Sequence, residues 1–281
     1  MLTYIIRRIL YAIPILIGVN LITFLLFFTV NTPDDMARAQ LGEKRVTTEM
    51  IEAWKADKGY DKPLFINQEA EGFDTVADTL FVQESLKLFT FDFGNSDNDR
   101  NIAADIQERM GPSLAIAIPT FMIALITNIS LALLLVLFRG SVLDTSMMVV
   151  AVMIMSISGL FYIIAGQVLF SKMWHWVPIS GYEEGWGAVK FVILPVMIGV
   201  FAGLGAGVRW YRSIFLEEIN KDYIRTARAK GLSELRVMFG HLLRNGMLPI
   251  LTGVVVVIPT LFMGSLIMES FFGIPGLGSY T

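Results

Sequence analysis

Side chains that could support chemistry are few in this sequence and lie far apart. The two histidines, His175 and His241, fall between long apolar runs, so we expect no histidine metal site or acid–base pair in those runs. The chain has no cysteine, which excludes disulfides and thiolate ligands. It also has no Gly-rich loop ending in Gly-Lys-Ser/Thr, so we expect no ATP site of that kind. We therefore predict neither a metal nor a cofactor.

A second group of polar residues lies within or at the end of apolar runs. Its members are Asn128, Ser156, Ser158 and Glu269. Polar and ionisable side chains at membrane depth are functional candidates by default, so we consider these four as pathway or gating residues. The alternative is a structural role. That role is favoured for Glu269, because a side chain near the end of a run reaches the interface at little cost.

The runs that hold these residues are long enough to cross a bilayer. The chain has 281 residues, is 54% hydrophobic and 17% charged, and has a mean hydropathy of +0.62, which is outside the range of soluble globular proteins. A helix of about 20 residues spans the roughly 30 Å of hydrocarbon. We therefore predict an all-α polytopic membrane protein with five visible spans. The first lies within 1–30, which also includes a short N-terminal segment, and the other four lie at about 112–138, 145–171, 190–208 and 247–269.

The distribution of positive charge predicts the orientation of these spans. Arg7 and Arg8 precede the first span, Arg139 follows the second, and eight Lys and Arg residues lie in the 209–246 loop. Placing all three groups in the cytoplasm gives a cytoplasmic N-terminus. Segment 31–109, with nine basic and seventeen acidic residues, is then outside. We expect this small periplasmic insertion to fold, with a capped helix beginning near Thr47 and Thr48, a second near 76–88, and a short one at 102–109.

Proline and glycine are prominent inside the spans. Pro119, Pro195 and Pro259 are expected to interrupt spans two, four and five, which gives bent helices. In the fourth span, glycines repeat at positions 199, 203 and 207. This spacing allows a second helix to approach closely, either within the chain or from another membrane subunit.

The 209–246 loop has the most specific pattern in the sequence. It predicts a basic helix that ends at Gly231, followed by Ser233 as the N-cap of a second helix that runs to about Arg244. Ile219, Tyr223 and Ala227 would form a narrow apolar stripe on the first helix. Such a helix pair is either an amphipathic connector or a surface that fits a groove on a cytoplasmic partner.

The segment 222–233, Asp-Tyr-Ile-Arg-Thr-Ala-Arg-Ala-Lys-Gly-Leu-Ser, with His-Leu-Leu-Arg-Asn at 241–245, resembles the coupling loop of ABC importer permeases. The similarity is to the dipeptide, oligopeptide and nickel branch of binding-protein-dependent inner-membrane components. Arg225, Thr226 and Ala227 stand at the family's Glu-Ala-Ala positions and Gly231 at its glycine. The resemblance also includes the start of the chain, 4–10 with Pro14, and the segments 92–96, 110–114, 176–181, 193–195 and 269–278, so it covers nearly the whole chain.

This resemblance implies a type I ABC importer permease (MetI-like) helical bundle, with 110–281 as the permease core and a sixth span that we expect to be missing. It implies ATPase coupling by the following residues of the loop: Asp222, Tyr223, Arg225, Thr226, Ala227, Arg228, Ala229, Lys230, Gly231, His241, Arg244 and Asn245. The chain itself would not be an enzyme.

The partners implied by the resemblance are a second permease subunit in a heterodimer, two ABC ATPase subunits and a periplasmic or lipid-anchored substrate-binding protein. All would assemble in or at the bacterial inner membrane, in contact with lipid and without nucleic acid. Peptides are the expected substrate, with nickel, opines and oligosaccharides as alternatives in the same branch. The competing functions are a stand-alone secondary carrier or channel, which would transport alone, and a membrane-embedded enzyme that needs His175, His241 or Glu269.

Overall fold

A computed structural model describes residues 2–42, 46–68, 72, 74–96 and 100–280. The described residues form helices joined by turns and loops. They contain no strand, and their one β-type contact is an isolated bridge between Asn95 and Asn101. The chain divides into two compact units, Met1–Ala103 and Ala104–Thr281.

The described part of the first unit contains five helices: α1 (Leu2–Val30), α2 (Pro33–Leu41), α3 (Thr48–Lys58), α4 (Asp74–Ala77) and α5 (Leu80–Phe89). The Thr47 hydroxyl accepts a hydrogen bond from the Met50 amide, which confirms the predicted cap of α3. Phe24 and Phe28 of α1 form a buried cluster with Leu80 of α5. This packing holds the short helices against one end of the long apolar helix α1.

The second unit contains α6 (Ile102–Leu137), α7 (Val142–Ser156), α8 (Gly159–Gly166), α9 (Val189–Glu218), α10 (Asp222–Ala229), α11 (Glu234–Val237), α12 (Leu243–Leu261) and α13 (Leu266–Phe272). A π-helical stretch, Gln167–Met173, extends α8, and another, Met238–Leu242, joins α11 to α12. The short helix expected at 102–109 is instead the first part of α6, which continues through Gly111 and Pro112 into the apolar run.

Four helices among the described residues are long and apolar enough to cross a membrane, and a bent pair makes a fifth crossing if it counts as one. The four are Thr3–Val30, Ile102–Leu137, Gly185–Glu218 and Glu234–Leu261. The bent pair, Val142–Ser156 with Gly159–Met173, turns by 89°. These helices confirm the predicted all-α membrane fold. Where the chain enters and leaves a bilayer stays a prediction.

The sequence predicted that three prolines would interrupt the long helices, and the structure differs from this prediction. Pro119 lies inside α6 and Pro195 inside α9, and both helices continue past them; only Pro259 lies close to a helix end, at Leu261. Apolar helices tolerate proline when neighbouring helices and local adjustment satisfy the freed backbone groups. The sharp bend occurs instead at Ile157 and Ser158, where no proline is present.

The glycine repeat of α9 marks close approaches within the second unit. A Cβ atom at Gly207 would lie closer than 3.0 Å to the side chain of Asn128 on α6, and one at Gly205 equally close to the carbonyl oxygen of Ala151 on α7. A Cβ at Gly203 would meet nothing within 4 Å. Close packing of α9 against two helices therefore depends on Gly205 and Gly207, the first of which lies outside the predicted four-residue repeat.

Candidate functional site

The helix α10 in the 209–246 loop has a buried face and an exposed charged face. Ile224 is fully buried and Ala227 is 4% exposed, whereas the side chains of Asp222 and Arg225 are 94% and 73% exposed. Thr226, Ala229, Lys230 and Gly231 are also exposed. An eight-residue helix is marginal by itself, so its conformation depends on the packing of the buried face. The exposed face is free to contact another molecule.

The buried face of α10 is fixed by the core at one end of the second unit, which we call the loop end. This core combines Leu133 and Val136 of α6, Phe215 and Ile219 from the end of α9, and Leu242 just before α12. A Cβ at Gly246 would lie closer than 3.0 Å to the Phe215 ring, so α12 and α9 also touch closely here. The predicted stripe is partly correct, because Ile219 and Ala227 are buried. However, Ile219 lies directly after α9 rather than on α10, and the fully buried residue of α10 is Ile224 instead of Tyr223.

The turn after α10 has the predicted glycine. Gly231 has a φ of +76°, a left-handed conformation that favours glycine, and its amide donates to the Arg228 carbonyl at 2.9 Å. Ser233 is the N-cap residue of α11, although its hydroxyl makes no capping hydrogen bond. Arg228 instead forms a two-pronged ion pair with Glu234, which joins the two helices across the turn.

Tyr223 connects three helices at the loop end. Its hydroxyl donates to Glu218 Oε2 of α9 at 2.7 Å and also interacts with Asn245 of α12. Burial raises the pKa of Tyr223 to about 12, and the Glu218 carboxylate acts in the same direction. The phenol therefore stays protonated at physiological pH and keeps its role as a donor to Glu218. Asn245 also donates to the His241 carbonyl at 2.9 Å, whereas Arg244 is exposed.

The four polar residues assigned to the spans lie in different environments. Asn128 is 5% exposed and faces Gly207, and its Oδ1 atom has no hydrogen-bond partner among the described residues. Ser156 and Ser158 lie at the 89° bend between α7 and α8 and are exposed. The Ser156 hydroxyl donates to the Val152 carbonyl at 2.8 Å. The structure does not bring these three residues together with Glu269 in one site.

Glu269 is buried rather than close to the surface, with only 1% of the residue exposed. Its carboxylate accepts hydrogen bonds from the Ser113 hydroxyl at 2.8 Å, the Ser265 amide at 3.0 Å and the Ser279 amide at 2.9 Å. A Cβ at Gly276 would lie closer than 3.0 Å to this carboxylate. We call this region the Glu269 end. Because the carboxylate joins α6, α13 and the chain after Phe272, the geometry favours a structural role.

One buried ion pair in the second unit was not predicted. Arg212 of α9 donates from Nε to Asp144 Oδ1 at 2.9 Å and from Nη2 to Asp144 Oδ2 at 2.7 Å. The exposed fractions of the two side chains are 21% and 7%. The sequence shows the local signal for Asp144, an acid three residues after the N-cap Ser141. It gives no sign that the partner lies 68 residues further along the chain.

Comparisons with known proteins identify the family. Residues 128–281 match the model for binding-protein-dependent transport system inner membrane components, and residues 1–116 match the N-terminal model of the same components. This chain belongs to that family. It is a transmembrane permease component of binding-protein-dependent transport, and the predicted fold class and permease function are confirmed.

Relatives of the chain carry names from peptide transport. The dipeptide transport system permease protein DppB of Escherichia coli (strain K12) is 29% identical over 308 residues, covering 100% of this chain and 86% of the relative. The di/tripeptide transport system permease protein DppB of Pseudomonas aeruginosa (strain UCBPP-PA14) is 30% identical over 305 residues, with 100% and 86% covered. A protein of Brucella abortus (strain 2308) named as a peptide transport system permease is 30% identical over 283 residues, covering 99% and 85%.

Proposed function

We propose that this permease imports peptides and that its 209–246 loop couples the transmembrane helices to two ABC ATPase subunits. The observation that carries the proposal is the arrangement of α10, whose buried face is fixed by α6, α9 and α12 while its charged face is exposed. A force applied to the exposed face would therefore act on three long helices. The names of the relatives support peptides as the substrate class.

In this proposal the chain pairs with a second, different permease subunit and receives substrate from a periplasmic or lipid-anchored binding protein. The N-terminus and the 209–246 loop lie in the cytoplasm, and segment 31–109 lies outside. This orientation rests on the positive charge before the first span and in the loop. Within the second unit, the long helix Glu234–Leu261 has only 17% of its apolar window buried, which leaves an apolar surface to be covered by lipid and by a second membrane subunit.

The roles of individual residues follow from where they lie. The exposed residues Asp222, Arg225, Thr226, Ala229, Lys230 and Gly231 present the ATPase contact. Tyr223, Ala227 and Arg228 hold α10 against its neighbours, and His241, Arg244 and Asn245 lie at the start of the helix that supports it. Ser156 and Ser158 lie at the bend, where a change of angle would open or close a path beside α7. Asn128 lies where α6 meets α9. Glu269 holds the opposite end of the unit in place.

The test is uptake by the assembled transporter in proteoliposomes. We expect ATP-dependent uptake of a labelled dipeptide that requires the binding protein, and no uptake by this chain alone. Uptake of nickel, an opine or an oligosaccharide in place of the peptide would overturn the substrate assignment. ATP-independent uptake by this chain alone would show a stand-alone carrier or channel and contradict the proposal.

A charge reversal tests the loop itself. In the double variant Arg225→Glu with Arg228→Glu, we expect ATP hydrolysis stimulated by the loaded binding protein to fall more than about tenfold, a loss within the usual range of coupling between sites. The matched control is Arg236→Glu, an exposed residue of α11 outside α10. Equal stimulation in the double variant and the control would show that the α10 face does not couple the subunits.

A further inference from the structure

The Asp144–Arg212 ion pair joins α7 to α9 through two hydrogen bonds of 2.9 and 2.7 Å. The same two helices are also bridged by the Arg209 guanidinium, which lies 3.4 Å from the Met155 sulfur. Asp144 is the third residue of α7, and its Oδ2 atom also accepts from the Gly140 amide at 3.1 Å. Its own amide donates to the Ser141 hydroxyl at 3.3 Å. The carboxylate therefore fixes the start of α7 and the turn before it, in addition to the guanidinium. A planar guanidinium held at both oxygens also restricts rotation of one helix against the other.

Arg212 lies on the same helix segment that supports the 209–246 loop. It precedes Glu218, the last residue of α9, by six residues, which corresponds to about 9 Å of helix. Between them Phe215 is fully buried in the core of the loop end. Glu218 accepts the hydrogen bond from Tyr223 of α10. One continuous stretch of helix thus contacts α10 at its end and α7 at Arg212.

The far end of α7 is the 89° bend. The Tyr162 hydroxyl of α8 donates to the Ile154 carbonyl of α7 at 2.8 Å, so a hydrogen bond crosses the bend. Gly205 of α9 packs closely against Ala151, one turn before that carbonyl. A displacement of α7 relative to α8 would therefore change the angle at the bend or break the Tyr162 hydrogen bond.

We propose that Asp144 and Arg212 are positioning residues that make α7 move together with the end of α9, so that displacement of α10 reaches the bend between α7 and α8. The ion pair does not contact substrate and does not belong to the exposed α10 face. It acts by joining two helices at a fixed register. This inference rests on the proposed coupling function of the loop and adds the route by which the motion leaves the loop.

The experiment compares stimulated and basal ATP hydrolysis in the assembled transporter. Asp144→Asn removes the charge while keeping an oxygen that accepts from Gly140, and Arg212→Lys keeps the charge while losing the two-pronged geometry. The matched control is Glu183→Gln, which removes the carboxylate of the exposed Glu183–Lys190 pair at 2.7 Å. Activities are referred to the amount of complex that contains all subunits, so that a loss of assembly is separated from a loss of coupling.

We expect the ratio of stimulated to basal hydrolysis to fall about tenfold in Asp144→Asn, by a smaller factor in Arg212→Lys, and not at all in Glu183→Gln. Basal hydrolysis per assembled complex should stay unchanged. If both variants keep the normal ratio, or if basal and stimulated rates fall together, the ion pair has only a structural role and the inference is overturned.

The Arg225→Glu, Arg228→Glu double variant is measured in the same preparation to separate the two proposals. If it loses stimulation while Asp144→Asn and Arg212→Lys keep it, the loop couples the subunits but the ion pair does not carry the motion. If the double variant keeps full stimulation, the coupling function itself fails and the role of the ion pair fails with it.

Discussion

The two ends of the second unit are both organised by buried or partly buried carboxylates, but the carboxylates have different partners. At the loop end, Asp144 and Glu218 accept from the long side chains of Arg212 and Tyr223 on other helices. At the Glu269 end, the acceptor is surrounded by backbone amides, one serine hydroxyl and glycines that leave no space. Side chains that join separate helices can transmit movement, whereas an acceptor closed in by backbone fixes one conformation.

The two ends also differ in how exposed their charged side chains are. The loop end presents Asp222 and Arg225 to the surroundings, whereas Glu269 is almost completely inaccessible. A partner protein can bind an exposed charged face, but it cannot reach Glu269 without opening the fold. We therefore expect variants at the Glu269 end to lower stability at constant coupling, and variants at the loop end to change coupling at nearly constant stability.

The largest expected effect on stability is that of Glu269→Ala. Removing the carboxylate leaves one buried donor, the Ser113 hydroxyl, and two partly buried amides without their acceptor, at about 2–3 kcal/mol in total. We expect the melting temperature of the purified complex to fall by roughly 5–10 °C. The ratio of stimulated to basal ATP hydrolysis in complexes that remain assembled should not change. A normal melting temperature with a lost ratio would reverse the comparison and make Glu269 a gating residue.

A smaller effect is expected midway along α9, where it packs against α7. In Gly205→Ala the new methyl group would overlap the Ala151 carbonyl, which belongs to the backbone and cannot rotate away, so we expect a loss of about 1–3 kcal/mol. Gly203→Ala is the matched control, because it introduces the same methyl group into open space and should be neutral or slightly stabilising. Thermal unfolding of the two variants side by side measures the difference. Equal stabilities would show that α7 and α9 do not pack as described.

The turn between α10 and α11 should respond to substitution at Gly231 according to backbone conformation. A valine at a φ of +76° is strained by about 1–2 kcal/mol, whereas asparagine adopts this region more readily. We expect Gly231→Val to lower stimulated ATP hydrolysis severalfold and Gly231→Asn to retain most of it. Equal activity of the two variants would show that the angle of this turn does not matter for coupling.

The smallest effect is expected from Tyr223→Phe, which removes a single donor to Glu218 and keeps the ring. Because the pKa of Tyr223 is raised to about 12, the phenol is protonated in the fold up to that pH, and its contribution to stability is lost only as the pH rises from 10 towards 12. A difference titration of tyrosinate absorbance between wild type and variant measures this group. We expect a transition near pH 12; a transition near pH 10 would show that Tyr223 is neither buried nor held by Glu218 as described.

The sequence predicts those parts of the loop end that depend on local interactions. The helix, the left-handed Gly231 and the Ser233 N-cap position follow from residues that lie next to one another. The position where α9 ends, Glu218, could not be predicted from the sequence. No strong helix-breaking residue lies between Glu218 and α10, so tertiary packing decides where the helix ends. Likewise, the helices continue past Pro119 and Pro195 because neighbouring helices compensate for the lost hydrogen bonds.

Long-range pairs could not be predicted from a single sequence. Glu269 and Ser113 are 156 residues apart, and Asp144 and Arg212 are 68 apart. Hydropathy predicts that a charge at the end of an apolar run lies near the interface, which stays a prediction, but it does not show that protein groups enclose Glu269. The glycines after Phe272 were a usable signal, since several glycines close to one carboxylate are typical of a tightly packed backbone.

The most direct test of the central claim is site-specific cross-linking from α10, which is straightforward because the chain has no cysteine of its own. A single cysteine at Arg225, on the exposed face, should cross-link to an ATPase subunit in the assembled transporter. A single cysteine at Trp186, which is 93% exposed and belongs to the connection before α9, should not. Cross-linking from position 186 and not from position 225 would contradict both the proposed coupling surface and the proposed orientation of the chain.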